Sequence, residues 1–168
     1  MTRWGLIVDE IVKRLAVIEK DNGYRTDMGK EIEVIGIEMD PDEPDEETSP
    51  KTEGMTVNLL PGEPGENQVG RVEVGARRVV FDQEISIFGF LSIARRDQWF
   101  DASQMILADI KQAIFGQPFP AREFGIKSIS IGTGEVMMPG KQDRFAVGNV
   151  PIIIRYVENL SRPWTDQA

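Results

Sequence analysis

The sequence contains neither cysteine nor histidine. Without cysteine no disulfide can form, which excludes a small oxidised secreted scaffold, thiolate metal sites and thiol nucleophiles. Without histidine, the usual ligand sets for zinc, copper and non-haem iron are missing, as are the Ser-His-Asp triad and the Cys-His pair. Catalysis would have to rely on carboxylate, Lys, Tyr or Ser side chains alone.

Long hydrophobic runs are also missing. No segment approaches the roughly 18 apolar residues that a membrane-spanning helix needs. The acidic pair Asp9-Glu10 interrupts the N-terminal apolar residues before a signal-peptide hydrophobic region could form. We therefore expect a protein of the cytoplasm or of a soluble assembly, without membrane contact.

Charge is concentrated in one segment. The net charge is −9, and residues 38–54 carry eight acidic residues against Lys51, a local charge of −7. These acidic residues are Glu38, Asp40, Asp42, Glu43, Asp45, Glu46, Glu47 and Glu53. A near-neutral body with one acidic segment lacks the basic face that phosphate binding requires. Because Pro41, Pro44 and Pro50 lie among the acids, we predict a flexible acidic loop over residues 38–54.

Two segments have apolar residues at helical spacing. The first contains Ile7, Ile11, Leu15 and Ile18 and stops at Asn22-Gly23, which predicts a helix over residues 3–20. In the second, Asp101 and Gln104 have the spacing of a capping box, and an apolar face extends from Ile106 to Ile114. Gly116 and Pro118 then end it, so we predict a second helix over residues 102–115.

Several segments have the β-branched content and alternation of strands. They lie within residues 24–37, 55–60, 71–93, 126–138 and 145–157. Residues 71–93 are too many for one ordinary strand, so they form either a hairpin near residues 82–84 or one long bent strand kinked at Gly89. The turn-forming residues 139–143 predict an antiparallel hairpin between the last two segments.

The order of these elements predicts an α+β fold. At 168 residues and 40% hydrophobic content, the chain suits a single domain, residues 1–168. Repeated βα units are absent, so we expect a mainly antiparallel or mixed β-sheet with two α-helices packed on one face. Residues 159–168 are predicted to be a C-terminal tail extending from the core.

Candidate binding motifs in the sequence fit their patterns poorly. Asp40 and Asp42 match the first positions of an EF-hand loop, but Pro44 replaces a ligand and Asp45 replaces the required glycine. A solvated or partner-contacting loop is favoured over calcium binding. Clustered carboxylates could also imitate nucleic acid and sequester a basic protein. That alternative stays open.

Other residues could suggest an active site. The Gly132-Thr133-Gly134 stretch lacks the third glycine of a dinucleotide-binding motif, and we interpret it as a turn or bulge. Asp97 and Asp101 flank Trp99-Phe100, as a glycosidase carboxylate pair could. An N-capping aspartate with packed aromatics is the favoured interpretation. We therefore expect no enzymatic activity, no cofactor and no metal.

Five segments resemble the tail terminator, or tail completion, proteins of long-tailed bacteriophages. They are residues 7–15 (IVDEIVKRL), 23–27 (GYRTD), 78–81 (RVVF), 108–114 (ADIKQAI) and 150–156 (VPIIIRY). The resemblance covers nearly the whole chain except the acidic segment, which looks like an insertion.

The resemblance implies a structural virion protein assembled in the host cytoplasm. Such a protein closes into a ring, typically a hexamer, at the head-proximal end of the tail tube and terminates tail assembly. Its partners would be the tail tube protein, the sheath where the tail has one, and a neck or connector protein. DNA would pass through the lumen without specific binding. Alternatives are another head-tail connector or baseplate component, or an acidic protein-binding module; a carboxylate hydrolase is the least favoured.

A ring of identical subunits needs two different mating patches on each subunit. We predict that the strand containing Arg78, Phe81 and Phe88, with Arg162 and Trp164 of the tail, carries contacts to other subunits or to the tube. Trp164 in the polar tail and Trp4 at the chain start are isolated large aromatics. Each could pack on its own domain or on a neighbour.

Overall fold

The computed structural model describes residues 2–35, 53–59, 78–140 and 144–159. The elements, in chain order, are α1 (Arg3–Leu15), β1 (Ile32–Ile35), β2 (Gly54–Asn58), β3 (Arg78–Ser92), α2 (Trp99–Phe115), α3 (Ala121–Phe124), β4 (Ile126–Ile131), β5 (Glu135–Met137) and β6 (Phe145–Asn159). Within these ranges, no helix is long and apolar enough to cross a membrane.

The six strands form one mixed sheet. Its order is β1-β2-β3-β6-β4, and β5 also pairs with β6. The β1–β2 pair is parallel and the other pairs are antiparallel. The predicted α+β class with a mainly antiparallel or mixed sheet is confirmed, and so is the antiparallel pairing of the last two strand segments.

The centre of the sheet is a ribbon of two 15-residue strands, β3 and β6. Their register extends from Arg78 opposite Asn159 to Ser92 opposite Phe145 and passes Gly89 without a shift. Of the two alternatives, the hairpin near residues 82–84 is wrong and the single long strand is right. β3 pairs with β6 without a break through residues 82–84, and every second residue from Ile85 to Leu91 is buried on the core face.

The two long helices cover one face of this ribbon. Their buried residues are Ile7, Ile11 and Leu15 of α1, and Ala102, Ser103, Ile106, Leu107, Asp109, Ile110, Ala113 and Ile114 of α2. They meet Ile85 and Ile87 of β3 and Ile152 and Ile154 of β6 in one cluster. Each such fully buried aliphatic side chain contributes about 1.5–3 kcal/mol of transfer free energy.

A pair of glycines sets the distance between α2 and the sheet. Gly89 of β3 lies opposite Gly148 of β6, and Ile106 packs on both. A Cβ atom built on Gly89 would lie 2.4 Å from Ile106 Cγ2, and one on Gly148 would lie 3.0 Å from it. The helix can approach this closely only because these side chains are missing.

The predicted helix boundaries need correction. α1 ends at Leu15 and not near residue 20, although Ile18 is still buried beyond it. α2 begins at Trp99 and not at residue 102, with Gln98 as its N-cap. The predicted Asp101 cap is therefore wrong, and Asp101 lies in the first turn. The 3-10 turn Arg96–Gln98 leads directly into α2, which moves its start upstream.

The predicted strand over residues 126–138 is interrupted. It forms β4 and β5, separated by residues 132–134, where the Gly132 amide donates to the Pro151 carbonyl at 2.8 Å. The chain continues along β6 through these residues with its register shifted by one, from Ile131 opposite Ile152 to Glu135 opposite Asn149, so the predicted turn or bulge is a bulge. Residues 38–52 of the acidic segment and 160–168 of the tail lie outside the described residues, whereas Gly54 begins β2.

Candidate assembly surfaces

The predicted interface residues of β3 divide between the two faces of the sheet. Phe81 is half-buried on the helix-covered face, where its ring stacks on Tyr156 with centroids 5.5 Å apart. Trp4 stacks on the same Tyr156 at 5.7 Å. Trp4 therefore packs on its own domain, and Phe81 belongs to the same aromatic stack. Arg162 and Trp164 lie outside the described residues.

Arg78 and Phe88 lie on the opposite face, which we call the open face. Alternation along β3 places the even-numbered residues there, and their partners on β6 are the odd-numbered ones. Arg78 is exposed at one end of the strand, whereas Phe88 is half-buried towards the other end. The structure therefore separates these two residues by most of the strand's length.

Phe88 is part of a larger apolar patch, which we call the aromatic end. It consists of Phe88 and Phe90 of β3, Phe145 and Val147 of β6, and Met137 of β5. Phe90, Val147 and Met137 lie side by side in register, and Met137 is 53% exposed. Phe90, Phe145 and Met137 were not among the predicted site residues. The alternation in phase with Phe88 indicates Phe90, but placing Phe145 and Met137 beside it requires the cross-strand register.

A polar acceptor lies beside this patch. Asn149 lies on β6, between Phe88 of β3 on one side and Glu135 of β5 on the other. Its Oδ1 atom is buried and has no hydrogen-bond donor in the part of the chain that the structure describes. An unpaired buried acceptor of this kind costs about 1–3 kcal/mol.

The other half of the open face carries an ion pair. Arg155 Nε and Nη2 donate to the two carboxylate oxygens of Asp82, each at 2.7 Å. These bonds from Arg155 lower the pKa of Asp82. Val80 and Ile153 lie nearby with exposed fractions of 37% and 43%. This half of the face is thus mixed in character, unlike the aromatic end.

Two open clefts, each of about 340 Å³, lie beside α2. The first lies between the C-terminal end of α2 and β4, with Ile114, Phe119 and Ile129 in its lining. We call it the β4 cleft. The second lies near the start of α2 and includes Arg25, Glu53 and Asp101.

An ion-pair cluster lies beside the second cleft. Asp27 contacts the ammonium groups of Lys20 and Lys30 at 3.2 and 3.3 Å. The amide of Lys20, together with these ammonium groups, lowers the pKa of Asp27. The described ranges contain no group of three or more acidic residues that could hold a metal ion.

Asp97 and Asp101 have different surroundings. Arg95 Nε donates to Asp97 Oδ1 at 3.0 Å, and this side-chain bonding lowers the pKa of Asp97. Asp101 lines the second cleft, whereas Asp97 is not part of its lining. The two carboxylates therefore do not face a common substrate-sized space.

The chain matches no family model, and no curated protein matches it.

Proposed function

We propose that this chain is a structural subunit of a long-tailed bacteriophage tail. In this proposal, copies close into a ring, typically a hexamer, at the head-proximal end of the tail tube, where the ring terminates the tail and joins it to the neck. The chain acts by shape and contact surfaces and not by catalysis. The sequence resemblance suggests the role, and the open face of the sheet is the observation that carries it.

The open face has the character of a contact surface. Aromatic and Met side chains are enriched in protein–protein interfaces. On this face, Phe88, Phe90 and Phe145 lie together beside Met137. Apolar side chains exposed together outside a protein's core favour an interaction site, and Met137 is 53% exposed. We assign the aromatic end to the contact with the tail tube protein.

Charge is consistent with a DNA conduit. The net charge of −9 gives the subunit no electrostatic reason to retain phosphates in a lumen. On the open face, Arg155 is already neutralised by Asp82. DNA would therefore pass through such a ring without being held.

Light scattering coupled to size exclusion tests the proposal. The purified chain should have a discrete ring mass, alone or with the tail tube protein encoded in the same genome, and should bind that protein. Phe88→Ser combined with Phe90→Ser should abolish tube binding. Val80→Ser, on the opposite half of the open face, is the matched control and should bind normally.

Truncation after Asn159 tests the C-terminal tail. We expect loss of ring formation or of tube attachment, and an unchanged assembly would remove the tail from the contact surface. A chain that stays monomeric both with and without the tube protein would contradict the proposed function itself.

A further inference from the structure

The sheet has two edges, one at β1 and the other at β4 and β5, which follow one another along β6. Among the described residues, no strand lies beyond either of them. An edge strand presents unpaired N–H and C=O groups that can pair with another chain.

The backbone direction at the β4 edge follows from one hydrogen bond. Gly132 N donates to the Pro151 carbonyl of β6 at 2.8 Å, so the backbone of Gly132 faces β6. Backbone groups alternate in direction along an antiparallel strand. The N–H and C=O groups of Ile129 and Ile131 therefore point outward, away from the sheet.

The backbone directions of β1 follow from two hydrogen bonds to β2. Met55 N donates to the Glu31 carbonyl at 2.8 Å, and Leu59 N donates to the Ile35 carbonyl at 3.0 Å. Residues 31, 33 and 35 thus face β2. The backbone groups of Ile32 and Val34 point outward.

The side chains of these four outward-facing residues share one face. Val34 is opposite Val57, and Ile129 and Ile131 are opposite Ile154 and Ile152. Val57, Ile152 and Ile154 are all fully buried, so both edges present aliphatic residues on the helix-covered side. Val34 and Ile131 are each 42% exposed there.

Strand directions make the two edges compatible. β4 is antiparallel to β6, β6 to β3, and β3 to β2, whereas β2 is parallel to β1. β1 therefore runs opposite to β4. A second copy that continues the sheet with its helices on the same side brings its β1 antiparallel to β4.

We propose that β1 of one copy pairs with β4 of the next, with Val34 opposite Ile129 and Ile32 opposite Ile131. This inference rests on the proposed ring and names the contact that builds it. In this register, the four outward-facing residues form the hydrogen-bonded pairs, and their side chains meet on the helix-covered side. Glu33 lies opposite Ser130 on the open side.

The β4 cleft gives Val34 a place to pack. Ile129 lines this cleft together with Phe115 and Phe119, and Phe115 is 42% exposed. A Val34 side chain opposite Ile129 enters the mouth of the cleft and covers these rings. Aliphatic and aromatic neighbours across a strand pair stabilise the pairing more than alanine does.

The edges are also complementary in charge. Exposed carboxylates of Glu31 and Glu33 flank the outward-facing residues of β1. The exposed Lys127 is the charged residue of β4. Two acidic edges would repel each other, so these charges favour β1 against β4 over β1 against β1. The contact is heterologous, and repeating it around a closed rotation produces a ring.

Cross-linking tests the register. The chain has no cysteine, so Glu33→Cys with Ser130→Cys introduces the only two thiols. Residues opposite each other in a non-hydrogen-bonded pair have Cα atoms about 4.5 Å apart, within disulfide range. We expect oxidation to give a ladder of covalent multimers on a non-reducing gel, and reduction to remove it. Glu33→Cys with Glu135→Cys, both exposed on the open side but out of register, should give no ladder.

Edge-blocking variants test the two-edge arrangement. Val34→Pro and Ile131→Pro each remove one outward N–H and leave the bonds within the sheet intact. Each variant alone should be monomeric, and an equal mixture should give dimers, because each copy retains one working edge. Multimers that survive only in Val34→Pro would indicate β4–β4 pairing and overturn the inference. Circular dichroism checks that both proline variants fold. If either does not, the cross-linking of Glu33→Cys with Ser130→Cys decides whether β1 pairs with β4.

The outcomes separate this inference from the proposed function. A wild-type ring that gives no ladder and survives both proline substitutions overturns the β1–β4 contact and leaves the ring standing. A ladder in a protein that never binds the tail tube protein supports the contact and removes the tail function. A wild-type chain that neither associates nor cross-links overturns both.

Discussion

Asp109 Oδ2 accepts hydrogen bonds from both the amide and the hydroxyl of Thr26, at 2.9 and 2.8 Å. The same carboxylate accepts the Arg25 amide at 3.0 Å. Asp109 is 2% exposed in the middle of α2, and Thr26 is equally buried. One side chain thus fixes the segment between α1 and β1 against the second helix.

Removing that carboxylate should destabilise the fold. We expect Asp109→Ala to lower the free energy of unfolding by about 2–4 kcal/mol, because two amides and a hydroxyl lose their acceptor inside the protein. Asp109→Asn keeps one acceptor oxygen and should cost less. Urea unfolding gives both values, with Gln104→Ala on the exposed side of α2 as the control. Equal stability of Asp109→Ala and wild type would contradict the assigned role.

Replacing Arg14 with lysine should lower the stability of the fold. Its guanidinium donates to the carbonyls of Ile114, Gln117 and Pro118 at 2.8–2.9 Å and lies 4.5 Å from the Phe119 ring centroid. Lysine cannot form this fork, so Arg14→Lys should cost about 1–2 kcal/mol. Thermal and urea unfolding measure the loss. The neighbouring exposed Lys13→Ala should change stability little, and equal effects of the two substitutions would rule out the interpretation.

Gly89→Ala should strain the contact between α2 and the sheet. The new methyl group would meet Ile106 Cγ2 at 2.4 Å and Met28 Sδ at 3.0 Å. We expect a loss of about 1–3 kcal/mol from overpacking. Ile106→Ala removes the first clash, so the double variant should be more stable than the sum of the two single losses predicts. Strict additivity in a double-mutant cycle would contradict this packing.

Tyr156 should make the fold sensitive to alkaline pH. Burial, with the nearby negative charge of Glu158, raises its pKa to about 12. The unfolded chain releases this proton near pH 10, so stability is complete below about pH 10 and is lost as pH rises towards about 12. The loss should reach about 2 kcal/mol.

Tyr156→Phe provides the test of that dependence. It keeps the stack between Trp4 and Phe81 and removes the bond to Gln83 Oε1. Urea unfolding at about pH 8 and about pH 11 should show a smaller alkaline loss in the variant than in wild type. The same slope in both proteins would assign the effect to other groups.

Periodicity in the sequence predicted most of the architecture. The α2 apolar face and the alternation of β3 and β6 each depend on local spacing, and both match the observed burial. The α1 boundary was missed because Ile18 continues the helical spacing although it lies beyond the helix. Spacing reports which side chains are buried and does not report where backbone hydrogen bonding stops.

Features that depend on two segments at once could not be read from the sequence. The break between β4 and β5 coincides with a one-residue shift in their pairing with β6, which is another strand. Asp109 looks like an ordinary polar helix residue until Thr26 is placed beside it. The aromatic end is likewise defined by cross-strand register, so only Phe88 of that patch was predicted.

The parallel pairing of β1 with β2 limits how the chain can be shortened. β1 ends at Ile35, opposite Asn58, whereas β2 begins at Gly54. The end of β1 and the start of β2 are therefore separated by roughly 13 Å along the strand direction, and the connection has to span this distance. Excision of the acidic segment down to a tight turn would force β1 to reverse direction. The backbone N–H and C=O groups of Ile32 and Val34, which now point outward, would then point towards β2. The connection between β1 and β2 therefore has a minimum length, whatever its composition.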